Sequence, residues 1–196
     1  MKKILLLAMF IPVISFAQET KKEETKEETT PTARITLSGN FIASDPSQFG
    51  LSLEYKSKHK DNDRNSAQIL NVSGAFMDYE SALPDVKGNG FAIELGSRTY
   101  IEKNRWDGLY AENSISYGNI KFDENVAGFG KFEGTYSYWS IINPNVGYKI
   151  MLGKNLAIDP YIGANWKWEV KGKGDVDNKN VDNFVFRAGI KIGYNF

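Results

Sequence analysis

The 196-residue chain has no cysteine. That excludes disulfides, thiolate metal sites and a cysteine-linked lipid anchor, so the fold must be held by its backbone ladder and packing. Histidine occurs once, at His59. Beyond the first residues no apolar run approaches the ~18–20 residues of a membrane-spanning helix, and no stretch after Arg34 holds a helical period. Charge of either sign is also missing in the balance: 24 Lys and Arg face 24 Asp and Glu. Such a chain carries no basic footprint for a nucleic acid. Aromatics (13%) and 18 glycines are plentiful instead, which suits strands with aromatic belts and tight bends.

Residues 1–17 read as a signal peptide. Lys2 and Lys3 precede the apolar Ile4–Phe16, and Ser15-Phe16-Ala17 supplies small residues at −3 and −1 before Gln18. The run is too short for a span and contains Pro12. Residues 18–33 include ETKKEETKEETTPT, a charged, low-complexity stretch with nothing to pack, expected to be a disordered periplasmic leader. Residues 34–196 form the third region. Without Lys2 and Lys3 the net charge is about −2.

From Arg34 onward, alternating segments recur at about 34–43, 48–58, 67–79, 90–101, 108–120, 134–151, 155–170 and 183–196. In the last, Phe184, Phe186, Ala188, Ile190, Ile192, Tyr194 and Phe196 share one face, while Arg187 and Lys191 lie on the other. In the one before, Leu156, Ile158, Ile162, Trp166 and Trp168 oppose Asp159, Lys167 and Glu169. Across 136–150 the even positions Tyr136, Tyr138, Ile142, Val146, Tyr148 and Ile150 form one apolar face, against Asn143, Asn145, Gly147 and Lys149.

Alternation alone does not say which face is inside, since a soluble lipocalin-type barrel turns the apolar face inward. Three features favour the inverted arrangement. Charges keep to one phase, and turning Arg187 or Lys191 to lipid would cost ~2–4 kcal/mol each near the bilayer midplane. Aromatics bracket the apolar stretches: Trp166 and Trp168 lie ten and twelve residues past Leu156, roughly 25–30 Å of height in a tilted strand. The final strand is not followed by the helix that a lipocalin adds. The expectation is an all-β, eight-stranded antiparallel transmembrane β-barrel with an apolar outer face and a polar, charged lumen. Weaker alternation over Arg34–Lys58 leaves ten strands as an alternative.

The chain resembles the small eight-stranded outer-membrane β-barrel proteins, and more narrowly the uncharacterised outer-membrane barrel proteins of Bacteroidota. The residues that carry this are Asp78-Tyr79-Glu80, Ser97-Arg98-Thr99-Tyr100, Gly108-Leu109-Tyr110-Ala111, Ile158-Asp159-Pro160-Tyr161-Ile162-Gly163 and Gly193-Tyr194-Asn195-Phe196. The resemblance covers about residues 34–196 and implies a Gram-negative cell outer membrane. It also implies that Tyr194 and Phe196 act as an assembly signal, read by the barrel-assembly machinery. It brings no catalytic residues.

Eight strands enclose an interior that side chains can fill. The inward face is expected to hold Glu54, Glu94, Arg98, Glu112, Lys149, Asp159, Lys167, Glu169, Arg187 and Lys191 as a charge network. Tyr136, Tyr138, Trp166, Trp168, Phe184, Phe186, Tyr194 and Phe196 are expected in the aromatic girdles. His59, with Ser57 and Asp61 nearby, is the sole basis for an acyl-chain enzyme, and a charged loop holds such a set poorly. Asp61, Asp63 and Asn65 imitate the start of a calcium loop, but Ser66 and Val72 stand where Gly and Glu are needed; Asp175 and Asp177 begin another, interrupted by Lys179. No metal and no cofactor are expected. Leu152–Asn155 and Glu102–Asp107 read as periplasmic turns, and 121–133 and 171–182 as outer loops, where Phe122, Val126, Phe129 and Phe132 would stiffen a hairpin or meet an extracellular partner. The readings of function are therefore a non-enzymatic structural, adhesive or surface-interaction barrel with a filled lumen, a small porin-like channel for ions or polar solutes, and, third, the lipid-modifying enzyme.

Overall fold

The computed structural model describes residues 34–56, 65–79, 86–102, 106–126, 128, 130–170, 172–177 and 181–196. The signal and leader regions, and Ser57, His59, Asp61, Asp63, Phe129 and Lys179, lie outside them.

Nine strands are present among the described residues: β1 (Arg34–Ala43), β2 (Ser47–Lys56), β3 (Ser66–Tyr79), β4 (Val86–Tyr100), β5 (Gly108–Val126), β6 (Gly130–Leu152), β7 (Leu156–Glu169), β8 (Lys173–Gly174) and β9 (Phe184–Asn195). Each long strand pairs antiparallel with its neighbours, and β9 pairs with both β7 and β1, so eight strands close into a ring. Closure leaves no free edge in the wall, which a barrel crossing hydrocarbon requires.

Ladder partners taken once round the ring run Asp159, Lys191, Asn40, Gly50, Ser73, Ala92, Gly118, Tyr138 and Glu169. The path returns to β7 ten residues beyond its start. That stagger tilts the strands by ~40° and sets the lumen narrow enough for side chains to fill. It also decides which inward residues share a level. Asp159 lies near the end of the barrel that holds the C-terminus, here the lower end, and Glu169 lies at the upper end.

Period-two alternation accounts for both walls. Along β9 the even residues face out and Val185, Arg187, Lys191 and Asn195 face in. Large apolar side chains cover the outside, among them Phe41, Leu51, Val72, Leu95, Val146 and Ile162. The lower end carries the short β6–β7 turn, where Gly153 takes a φ of +71°. Asn155 there accepts from Asn195 N–H at 2.7 Å and donates its side-chain N–H to Asn195 O at 2.8 Å, pinning the last strand.

β5 and β6 outgrow the ring. The stretch read as an outer loop, 121–133, is largely strand: β5 runs to Val126 and β6 starts at Gly130. Above Tyr138, which pairs with Glu169 at the end of β7, one edge of β6 would be bare. The two-residue β8 covers it, pairing Gly174 with Gly134 and Lys173 with Thr135.

The phase of β6 changes within the strand. Its ladder slips between Trp139 and Ile142 against β7, and opposite Ser114 to Ser116 on β5. Ile141 and Ile142 both face out. Such a bulge inserts one residue and reverses the alternation beyond it. Tyr136 and Tyr138 are therefore inside the barrel, fully buried, and not in a girdle; Trp139 takes the outer position. The outward side chain of Asn113 satisfies the freed backbone. Its Oδ1 accepts from Asn143 N–H at 3.1 Å and its Nδ2 donates to Ile141 O at 3.5 Å.

Candidate functional site in the barrel lumen

The lumen has two storeys. The lower one holds four acids, Glu54, Glu94, Glu112 and Asp159, and four bases, Arg98, Lys149, Arg187 and Lys191, all buried. Arg98 of β4 is their hub. Its NH1 donates to Asp159 Oδ2 at 2.8 Å and to Glu54 Oε2 at 3.4 Å, and its Nε donates to Glu112 Oε2 at 3.0 Å. The guanidinium lies 3.6 Å from the centre of the Tyr110 ring. Tyr100 OH donates to Glu54 and Tyr110 OH to Asp159, each at 2.5 Å.

Two pairs cross the full width of the ring. Arg187 of β9 holds Glu94 of β4 with two bonds, 2.9 and 3.1 Å, and these strands are four steps apart in either direction. Lys149 of β6 reaches Glu54 of β2 at 2.9 Å, again four steps apart. Lys191 stands 3.8 Å from Glu112. Isolated buried charges would be prohibitive, and here each has an opposite partner. Asn71 adds a bond to Glu94 at 2.9 Å, and Tyr161 donates to Asn40 at 3.0 Å.

Close backbone approach makes room for the aromatic members. Tyr110 lies over Gly147, its ladder partner, where an added Cβ would come within 2.3 Å of the phenol oxygen. Tyr161 covers Gly189 in the same manner, at 2.3 Å from its ring. A larger residue at either glycine would push the tyrosine off its acid or amide partner.

The lower mouth is closed by Trp106, from the β4–β5 connection. It is buried, stacks with Tyr100 at 6.4 Å between ring centres, and donates its indole N–H to Thr36 Oγ1 at 3.2 Å. Lys149 and Lys56 stand 5.0 and 5.3 Å from its ring. The sequence marks 102–107 only as a turn; the large aromatic before Gly108 is the available signal.

The upper storey is largely apolar, which the alternation did not reveal. Met77, Val86, Ile120, Phe122, Phe132 and Tyr136 pack in one cluster with Val176 and Val181 of the β7–β9 connection. Phe122, Val126 and Phe132 of the predicted outer loop are thus buried within it and offer no contact face. The connection is tied down at several points. Tyr79 OH accepts from Asp177 N–H at 2.8 Å, Asp175 Oδ2 accepts from Glu133 N–H at 2.9 Å, and Asp175 N–H donates to Glu133 O at 2.8 Å. Asp175 and Asp177 serve this lid. Among the described residues no group of three or more His, Asp or Glu side chains is arranged to hold a metal.

Two of the predicted network members lie elsewhere. Lys167 sits in the upper storey, where it donates to Asp45 O at 2.9 Å and lies 5.7 and 5.9 Å from the Tyr136 and Tyr138 rings. Glu169 is half-buried at the upper rim, because the ten-residue stagger carries it well above Asp159. Of the girdle residues, Trp166 and Trp168 stack outside at 5.8 Å, beside Phe184 and Phe186; Tyr194 and Phe196 pair at 4.9 Å at the lower rim.

No family model and no curated protein matches the chain. Among solved structures it is similar to a major outer membrane protein from Thermus thermophilus, with a TM-score of 0.62 and 10% identity over 84% of this chain and 100% of that one. It is also similar to Ail, the attachment invasion locus protein of Yersinia pestis, solved with the heparin analogue sucrose octasulfate (TM-score 0.45, 19% identity, 84% and 96% covered). A third is Neisserial surface protein A (TM-score 0.44, 9% identity, 83% and 95% covered). The first likeness gives the fold, that of a small outer-membrane β-barrel, and the apolar outer wall is the one such a barrel presents to lipid.

Proposed function

We propose that the protein is a non-enzymatic barrel of the outer membrane whose lumen is sealed, and whose role is structural, adhesive or surface-interacting. The observation that carries this is the pair of ion pairs spanning the ring, Glu94–Arg187 and Glu54–Lys149, with Trp106 below them and the apolar cluster above. A path for ions would have to part all three layers.

In this reading the lower end faces the periplasm and the upper end faces outward. The extended β5–β6 hairpin and the β7–β9 lid then form the outer surface, with Lys121, Asp123, Lys131, Glu133, Lys173 and Asp175 exposed for an extracellular partner. Tyr194 and Phe196, exposed at the lower rim, suit recognition by the barrel-assembly machinery. Kinship with Bacteroidota barrels rests on the five segments Asp78–Glu80, Ser97–Tyr100, Gly108–Ala111, Ile158–Gly163 and Gly193–Phe196, of which the last two are the more specific. The acyl-chain enzyme reading rests on His59, Ser57 and Asp61, and the lumen adds nothing to it.

Planar-bilayer conductance of refolded protein, with a heat-shifted gel band to establish folding, tests the reading. Silence from folded barrels supports the sealed form. Steady, ion-selective openings overturn it in favour of the small channel.

A further inference from the structure

The outer wall is apolar nearly throughout, yet one strip is not. Gln68, Ser97 and Asn113 are consecutive ladder partners on β3, β4 and β5, and all three face outward. Below them Thr99 and Ala111, also partners, are small and outward. The strip is the floor of a groove of about 500 Å³ whose walls are Leu53, Tyr55, Leu70, Leu95 and Ile115. Gln68 lies two residues inside the start of β3, and Asn113 five residues inside the start of β5. At ~3.3 Å per residue and ~40° of tilt, the groove climbs from the lower rim to ~12 Å above it.

This position sets its surroundings. The groove opens on lipid, with its foot at the level where ester groups meet hydrocarbon. It contains no charged side chain. Asn113 is occupied by the β6 bulge. Among the described residues the side chains of Gln68 and Ser97 make no hydrogen bond. Polar groups facing hydrocarbon without a partner are costly, so a hydrogen-bonding occupant gains from meeting them. A second copy of the chain is a poor fit, because a two-fold contact sets groove against groove and leaves a void between them.

We propose that this groove holds a glycerophospholipid: one acyl chain lies between Leu70, Leu95 and Ile115, and an ester carbonyl accepts from Gln68 and Ser97. The lipid is neutral at that depth, as the groove is. Ser97, the smallest side chain of the row, leaves the space that the chain enters.

The test is native mass spectrometry of protein refolded in detergent, mixed with phosphatidylethanolamine at a few equivalents. Wild type retains one lipid. Ser97→Leu, which fills the floor, and Gln68→Leu, which removes the donor, each lower retention by about tenfold, the loss of a membrane hydrogen bond worth ~1–2 kcal/mol. Ile162→Ala, on the far wall, keeps the wild-type value. The heat-shifted band reports folding of every variant, and Ser97→Ala, a mild change, keeps the groove open and loses less than Ser97→Leu. Equal retention by wild type and Ser97→Leu overturns the proposal, as does a dimer that is abolished by Ser97→Leu in place of a lipid adduct.

Discussion

Arg187 and Glu94 face each other across the whole diameter of the ring, joined by two hydrogen bonds of 2.9 and 3.1 Å. A fork-to-fork pair of this kind fixes geometry as well as charge. Removing one partner strands the other in a buried site. Arg187→Met is therefore expected to destabilise the barrel by about 3–5 kcal/mol, whereas Arg187→Met with Glu94→Leu recovers most of the loss. Urea unfolding in lipid vesicles, followed by the heat-shifted band, measures both.

The seal is layered, so its removal should be stepwise. Trp106→Ala alone leaves Glu54–Lys149 across the lumen and is expected to stay silent in planar bilayers. Adding Glu54→Ala and Lys149→Ala together deletes the lower crossing but leaves Glu94–Arg187 and the apolar cluster above it, and this variant too is expected to stay silent. Openings from Trp106→Ala alone would make the indole the principal barrier.

Gly147 exists as glycine because Tyr110 lies on it. Gly147→Val should displace the ring, break the Tyr110–Asp159 bond and cost about 1–3 kcal/mol. The check is the unfolding midpoint beside that of Gly39→Ala, whose added Cβ meets only Ile192 O at 3.9 Å and is expected to change it little.

The bulge in β6 has a sharper test. Deleting Ile141 removes the inserted residue and lets β6 alternate strictly, with Tyr136 and Tyr138 still inward and Trp139 still outward. The expected outcome is retention of the folded, heat-shifted band; its loss would show that the bulge itself is required for the barrel to close. Asn113→Leu, which leaves Asn143 N–H and Ile141 O without their side-chain partner, is expected to cost about 1–3 kcal/mol and to speed amide exchange at Asn143.

Much of the wall was legible before the fold. Arg187, Lys191, Asp159 and Lys149 are inward by simple parity, since each sits in a stretch of unbroken alternation. The failure at Tyr136 and Tyr138 has a specific origin. The apolar run Tyr138-Trp139-Ser140-Ile141-Ile142 reads in either phase, and only the ladder with β5 and β7 shows the inserted residue. Trp106 and the valines of the β7–β9 connection were hidden for another reason: they belong to connections, where no period assigns a face.

The chain by itself determined the class of fold and which wall meets lipid. Alternation is local, and the cost of turning a lysine or arginine to hydrocarbon is large enough to choose the phase strand by strand. Tertiary structure alone decided the partners. The ten-residue stagger of the ring brings Arg98 beside Asp159, Glu54 and Glu112, lifts Glu169 out of their reach, and separates a charged lower storey from an apolar upper one. No local pattern encodes that division, because height within a tilted barrel depends on the registers of all eight strands together.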